Sequence, residues 1–113
     1  MLTETEKLFK IFADKNRLRI LKLLEARTMC VCELADVLGV TQPSISRHLK
    51  KMKAAGLIGD EQDGLWTNYF LTIGSREAEG VMGCIKSLLK EDKAIRADRA
   101  RLKRTSRARS CCR

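Results

Sequence analysis

The sequence is poor in aromatic residues. Phe9, Phe12, Trp66, Tyr69 and Phe70 make up 4% of the chain, so its core has to be aliphatic. Proline occurs once, at Pro43, and glycine seven times, which excludes collagen-like and low-complexity classes. Histidine occurs once, at His48. There is no glycine-rich phosphate loop, no carboxylate pair and no nucleophile–base–acid triad, and the expectation is a protein that is not an enzyme. No apolar run approaches the ~18 residues that a membrane helix needs. The N-terminus, MLTETEKLFK, carries acids where a secretory signal has basic and then apolar residues. These absences point to a soluble, cytoplasmic chain with no membrane association.

What is present fits one globular domain. The chain has 113 residues, 44% of them apolar, enough for a core without staples. The net charge is +9. It is unevenly placed, because residues 96–113 hold eight basic residues against one acid, Asp98. Residues 1–95 are therefore read as the folded domain, and 96–113 as a basic, flexible tail. A basic chain suits a polyanionic partner, though bulk charge by itself is a weak pointer. The five cysteines are Cys30, Cys32, Cys84, Cys111 and Cys112. An odd count without a secretory signal argues against a disulfide framework and for metal-binding or reactive thiols.

The hydrophobic spacing gives a succession of helices. Thr3 and Glu6 have capping-box spacing before a first short helix. Asp14 is placed to cap a second helix over 15–26, striped by Leu18, Leu21 and Leu24. A third helix runs over 31–38 and stops at Gly39. Thr41 caps a fourth over about 42–55, with Pro43 in its first turn. Residues 57–62 and 65–71 then flank the turn signal Asp63-Gly64. Ser75 is placed to cap a last helix that runs into the nineties, with Val81, Ile85, Leu88 and Leu89 on its apolar face. The order helix, helix, helix-turn-helix, hairpin, helix reads as a mainly α winged helix-turn-helix with a two-stranded wing.

A helix of that kind fits the major groove of duplex DNA. Gln42, Ser44, Arg47 and His48 are the candidate groove contacts on the fourth helix, with Ser46 beside them. Lys50 and Lys51 suit phosphate, and the wing tip at Asp63 and Gly64 is the candidate minor-groove contact. The plain alternative is the solvated face of an amphipathic helix. The segments FADKNRLRIL, CVCELADVLGVTQPSISRHLKKMKAAGLI and DGLWTNYFL together resemble the ArsR/SmtB family of bacterial metalloregulatory repressors. The resemblance covers about residues 5–95. It implies a homodimer built through the first and last helices, bound to a palindromic double-stranded operator.

The thiols suggest the signal. Cys30 and Cys32 flank Val31 at the start of the third helix. In a regular helix these two positions point about 200° apart, so both sulfurs meet one ion only if Cys30 lies before the helix or the first turn opens. Thiolates select soft, thiophilic species. The Cys-Val-Cys motif resembles that of arsenic-responsive members, which implies As(III) or Sb(III) as inducer and no organic cofactor. The third cysteine of the enterobacterial motif falls at Ala35 here. Cys111 and Cys112, from the same or the partner chain, are candidates for the missing donor, and a two-thiol site would suit a monomethylated arsenite. Cys84, between Val81 and Ile85, reads as a buried structural cysteine. The alternatives on the same fold are a redox- or persulfide-responsive repressor and a response to another soft metal.

Overall fold

A computed structural model describes residues 1–105. Helix α1 (Leu2–Phe12) and helix α2 (Lys15–Ala26) lead into a two-residue strand β1 (Met29–Cys30). Helices α3 (Val31–Leu38) and α4 (Gln42–Ala54) form the helix-turn-helix. Strands β2 (Ile58–Asp63) and β3 (Trp66–Leu71) form the hairpin, followed by α5 (Arg76–Leu89) and α6 (Lys93–Lys103).

The expected caps set most of the boundaries. Asp14 Oδ1 accepts from Arg17 N–H at 3.0 Å, Thr41 Oγ1 from Ser44 N–H at 3.4 Å, and Ser75 Oγ from Ala78 N–H at 3.1 Å. Each satisfies one amide that the first helical turn leaves without a partner. Gly39 ends α3 in the left-handed region at φ 67°, where a Cβ would cost about 1 kcal/mol or more. The core beneath is aliphatic, with Ile20, Leu21, Leu23, Leu34, Ile45, Leu49 and Met52 each no more than 1% exposed.

Five expectations need correcting. The Thr3–Glu6 capping box does not form: α1 starts two residues earlier, with Met1 rather than Thr3 as N-cap, and it is Thr5 Oγ1 that donates to Met1 O. The hairpin loop is Gly64-Leu65 rather than Asp63-Gly64, since Asp63 pairs with Trp66. Gly64 has φ 62°, which suits the first position of a two-residue loop of the Gly-X kind. The wing belongs to a three-stranded sheet of order β1-β3-β2, with Met29 opposite Tyr69 and Cys30 opposite Asn68. The last helix is two helices. Asp92 Oδ1 accepts from the amides of Ala94 and Ile95 at 2.9 and 3.2 Å and so starts α6. Finally, a domain end at residue 95 falls inside α6, because Ile95, Asp98, Leu102 and Thr105 are all buried.

Helix α6 is fastened by charge. Asp98, 1% exposed, takes two hydrogen bonds from Arg19 at 2.8 and 2.9 Å and one from Arg101 at 2.7 Å. Arg101 Nε also donates to Val37 O at 2.6 Å. Arg19 donates to Leu38 O at 3.5 Å. Two of the carbonyls left over at the C-terminal end of α3 are satisfied in this way. The Asp98 carboxylate in turn holds the Arg19 guanidinium pKa above its ordinary value.

Candidate nucleic-acid interface and thiol site

Helix α4 turns Ile45, Leu49 and Met52 into the core. That rotation leaves Gln42, Ser46, Arg47, Lys50 and Lys51 exposed and Ser44 half-buried. These side chains share the solvent-facing side of one helix, with Thr41 and Pro43 at its leading end.

His48 is placed differently. Only 17% of its side chain is exposed. Arg17 Nη1 lies 3.1 Å from its Nδ1. An arginine can only donate, so Nδ1 accepts, and the neutral ring carries its proton on Nε2, 4.0 Å from Asp14 Oδ1. Burial holds the His48 pKa below its ordinary value, reinforced by Arg17, Lys51 and Arg47 and opposed by Asp14. Arg17 also donates to Ile11 O at 2.8 Å and Lys10 O at 3.2 Å. One guanidinium therefore joins the end of α1, the start of α2 and the middle of α4.

The wing carries no cation. Between Lys53 and Arg76 the sequence has the acids Asp60, Glu61 and Asp63 and no lysine or arginine. Lys53 Nζ pairs with Asp60 at 2.9 Å, tying the end of α4 to β2. At the tip, Asp63 Oδ2 is 3.5 Å from Asn68 Nδ2, and Leu65 is 88% exposed.

Cys30 is the N-cap of α3, in an extended conformation at φ −95° and ψ 171°, and Cys32 lies in the first helical turn. Cys30 thus lies before the helix, which is the condition for both thiols to turn toward one ion. Cys30 is buried and Cys32 half-buried, and neither is in a disulfide. The Cys30 amide donates to Glu33 Oε1 at 3.1 Å. Glu33 Oε2 takes Arg27 Nη2 at 3.0 Å, and the same nitrogen donates to Thr105 O at 3.0 Å. Sequence reasoning missed Glu33, although a glutamate three residues after an N-cap is a capping-box signal. Among the described residues no three His, Cys, Asp or Glu side chains are grouped to hold a metal ion. Cys111 and Cys112 lie outside the described residues. Cys84 is exposed rather than buried, because it faces an apolar cleft between α1 and α5 with Phe9, Val81 and Leu88.

Comparison with known proteins places this arrangement. A family profile described as "Bacterial regulatory protein, arsR family" matches residues 14–59. The "Arsenical resistance operon repressor" of Bacillus subtilis is 37% identical over 83 residues, 73% of this chain and 77% of that protein. The chain belongs to the arsR family of bacterial regulatory proteins. The Escherichia coli protein named "Arsenical resistance operon repressor" is 47% identical over 66 residues. That match spans 58% of this chain but only 56% of the Escherichia coli protein. Among solved structures, HlyU from Vibrio cholerae superposes with a TM-score of 0.69 at 26% identity, covering 79% of this chain and 95% of that one. The winged helix-turn-helix fold of arsR-family regulators is thereby established for this chain.

Proposed function

We propose that this protein is a dimeric transcriptional repressor, responsive to arsenite or antimonite, whose inducer-free form holds a palindromic operator in the cytoplasm. Gln42, Ser44, Ser46 and Arg47 reach base edges and phosphates, Lys50 and Lys51 neutralise phosphate, and the Asp63–Gly64 tip lies at the minor groove. Acids repel phosphate, so contact at that tip falls to the Gly64 backbone and Leu65. His48 contributes by fixing α4 against Arg17 and, through its Nε2 edge, by approaching the DNA backbone. Dimerisation covers the apolar cleft of α1 and α5, where Phe9 is 55% and Leu88 75% exposed.

The observation that carries the reading is the position of Cys30 and Cys32 at the start of the helix that leads into α4, Cys30 as its N-cap and Cys32 in its first turn. Each thiol that engages the metalloid gives up its proton and replaces one hydroxide, so three thiols release three waters with no change of oxidation state. Cys111 and Cys112 are the candidates for the third donor. Drawing Cys30 toward Cys32 pulls on the Glu33 hydrogen bond and on the pairing with Asn68. It therefore disturbs the start of α3 and the root of the wing together. Only Gly39, Val40 and Thr41 separate α3 from α4, so a tilt of α3 moves the reading helix. A coupling of ~1–3 kcal/mol, five- to 150-fold in affinity, is the ordinary scale of such switches.

The test is a fluorescence-anisotropy titration of a duplex enriched from a random pool by the inducer-free protein. It is run under a reductant that does not bind arsenic. As(III) releases the wild type and leaves Cys30→Ser/Cys32→Ser bound. Release by Cd(II) or by oxidant alone, without release by As(III), would transfer the reading to another soft metal or to thiol redox chemistry.

A further inference from the structure

An open apolar groove of about 870 Å³ separates α1 from the end of α4. Leu8, Phe9 and Ile11 line one side of it and Lys51, Ala54 and Ala55 the other. Arg17 spans the gap. Its Nε donates to Ile11 O at 2.8 Å and its Nη2 to Lys10 O at 3.2 Å. Both carbonyls belong to the last turn of α1, which leaves such groups without a helical partner. Its Nη1 donates to His48 Nδ1 at 3.1 Å, one turn before Lys51. Each of the three guanidinium nitrogens thus has a protein acceptor, so the planar group is fixed in direction as well as in distance. Its base is fixed too. The Arg17 amide is held by the Asp14 cap, and the next residue, Leu18, lines the apolar cleft assigned to the dimer together with Phe9 and Phe12 of α1. We infer that Arg17 is a positioning residue that sets the angle of the reading helix to the α1–α5 seam, and thereby the separation of DNA half-sites that the dimer accepts.

This deepens the proposed function and rests on its DNA-binding and dimer halves, not on the inducer. A two-fold dimer presents two copies of α4, and their separation has to match half-sites about one helical turn or a multiple of it apart. Burial of Ile45, Leu49 and Met52 sets the rotation of α4 about its own axis. The tie from α4 to the helix that carries the seam residue Phe9 runs through the guanidinium. His48 directly follows Arg47 and stands about one turn after Ser44, so whatever moves its ring moves the candidate base contacts. Arg17 itself is half-buried and turned inward, which sets it apart from an arginine that neutralises phosphate. Its loss lets α4 tilt without removing a contact to DNA. The affinity for the correct spacing falls, and the affinity for a wrong one does not.

The test varies the spacing. A duplex enriched from a random pool by the inducer-free full-length protein is remade with one or two base pairs added or removed between its half-sites. Each duplex is titrated by fluorescence anisotropy. One base pair turns a half-site by about 35° around the duplex axis. The wild type is expected to lose roughly tenfold in affinity, the scale of a mismatched pair. Arg17→Met, shown by circular dichroism and sedimentation velocity to be a folded dimer, is expected to bind all the spacings within a few-fold of one another. Arg17→Lys keeps the charge without the fork and is expected to do the same. His48→Leu removes the acceptor and leaves both bonds to α1 in place, so it reports on the contact even where Arg17→Met does not fold. The double variant Arg17→Met/His48→Leu is expected to flatten the series no further than either change alone. Salt dependence separates positioning from direct contact. Arg17→Met should keep the wild-type slope, whereas an arginine lost from a phosphate in each protomer would relax it by roughly two. A relaxed slope overturns the inference in favour of direct contact. A wild type indifferent to spacing, selectivity kept by Arg17→Met or His48→Leu, or selectivity restored by Arg17→Lys overturns it while the repressor reading stands. A wild type that enriches no duplex sinks the DNA-binding reading and this inference with it.

Discussion

Single side chains settle several matters that helix geometry leaves open. His48 accepts from Arg17 and therefore has to stay neutral while that contact holds. Its folded pKa lies below the ordinary value of about 6.5. As pH falls through that value the unfolded chain takes up the proton first, so stability is full above about 6.5 and declines toward the folded pKa. Thermal melts between pH 7 and pH 5 should show this loss. His48→Asn keeps an acceptor near Nδ1 without a proton to gain and is expected to flatten the slope. An equal slope in both proteins would show that the Arg17 contact does not set it. The solvent-facing side chains of α4 were legible in sequence because the buried Ile45, Leu49 and Met52 define the opposite face. The partner of His48 was not, since Arg17 lies 31 residues away and only folding brings the two together.

At the scale of elements, caps were the readable signal. Helices α2 and α3 fall on their expected residues because Asp14 and Gly39 terminate them by local chemistry. Strand β1 was unreadable, because two residues, Met29 and Cys30, become a strand only through pairing with β3. The break between α5 and α6 was missed for a related reason. Lys90 and Glu91 are good helix formers, so Asp92 read as an interior residue rather than an N-cap. The length of α6 matters because it holds the end of α3 through Asp98 and Arg101. Asp98→Ala leaves Arg19 without its carboxylate and is expected to cost ~3 kcal/mol, read as a lowered urea midpoint. The pair Arg19→Met/Asp98→Leu should recover much of that loss, since burying apolar groups of similar volume avoids the stranded charge. Recovery failing in the double variant would mean that the carbonyl contacts to Val37 and Leu38 matter more than the ion pair.

At the scale of the molecule, the open apolar cleft of α1 and α5 is the feature a lone protomer does not satisfy. Phe9→Glu/Leu88→Glu places charge on both sides of it. Sedimentation velocity should then show a monomer with unchanged circular dichroism, and the duplex affinity should fall with the loss of the second half-site. A dimer surviving both changes would move the seam elsewhere. The charge of the wing has a separate consequence, one of salt. A hairpin with three acids and no cation releases no counterions when it meets DNA. If Arg47, Lys50 and Lys51 of two protomers carry the phosphate contacts, about six ions are freed and the logarithm of affinity falls with that of salt at a slope near −5. A steeper slope that relaxes on truncation after Thr105 would show that the arginine-rich end also lies on DNA. Operator occupancy would then depend on ionic strength through that end as well as through α4.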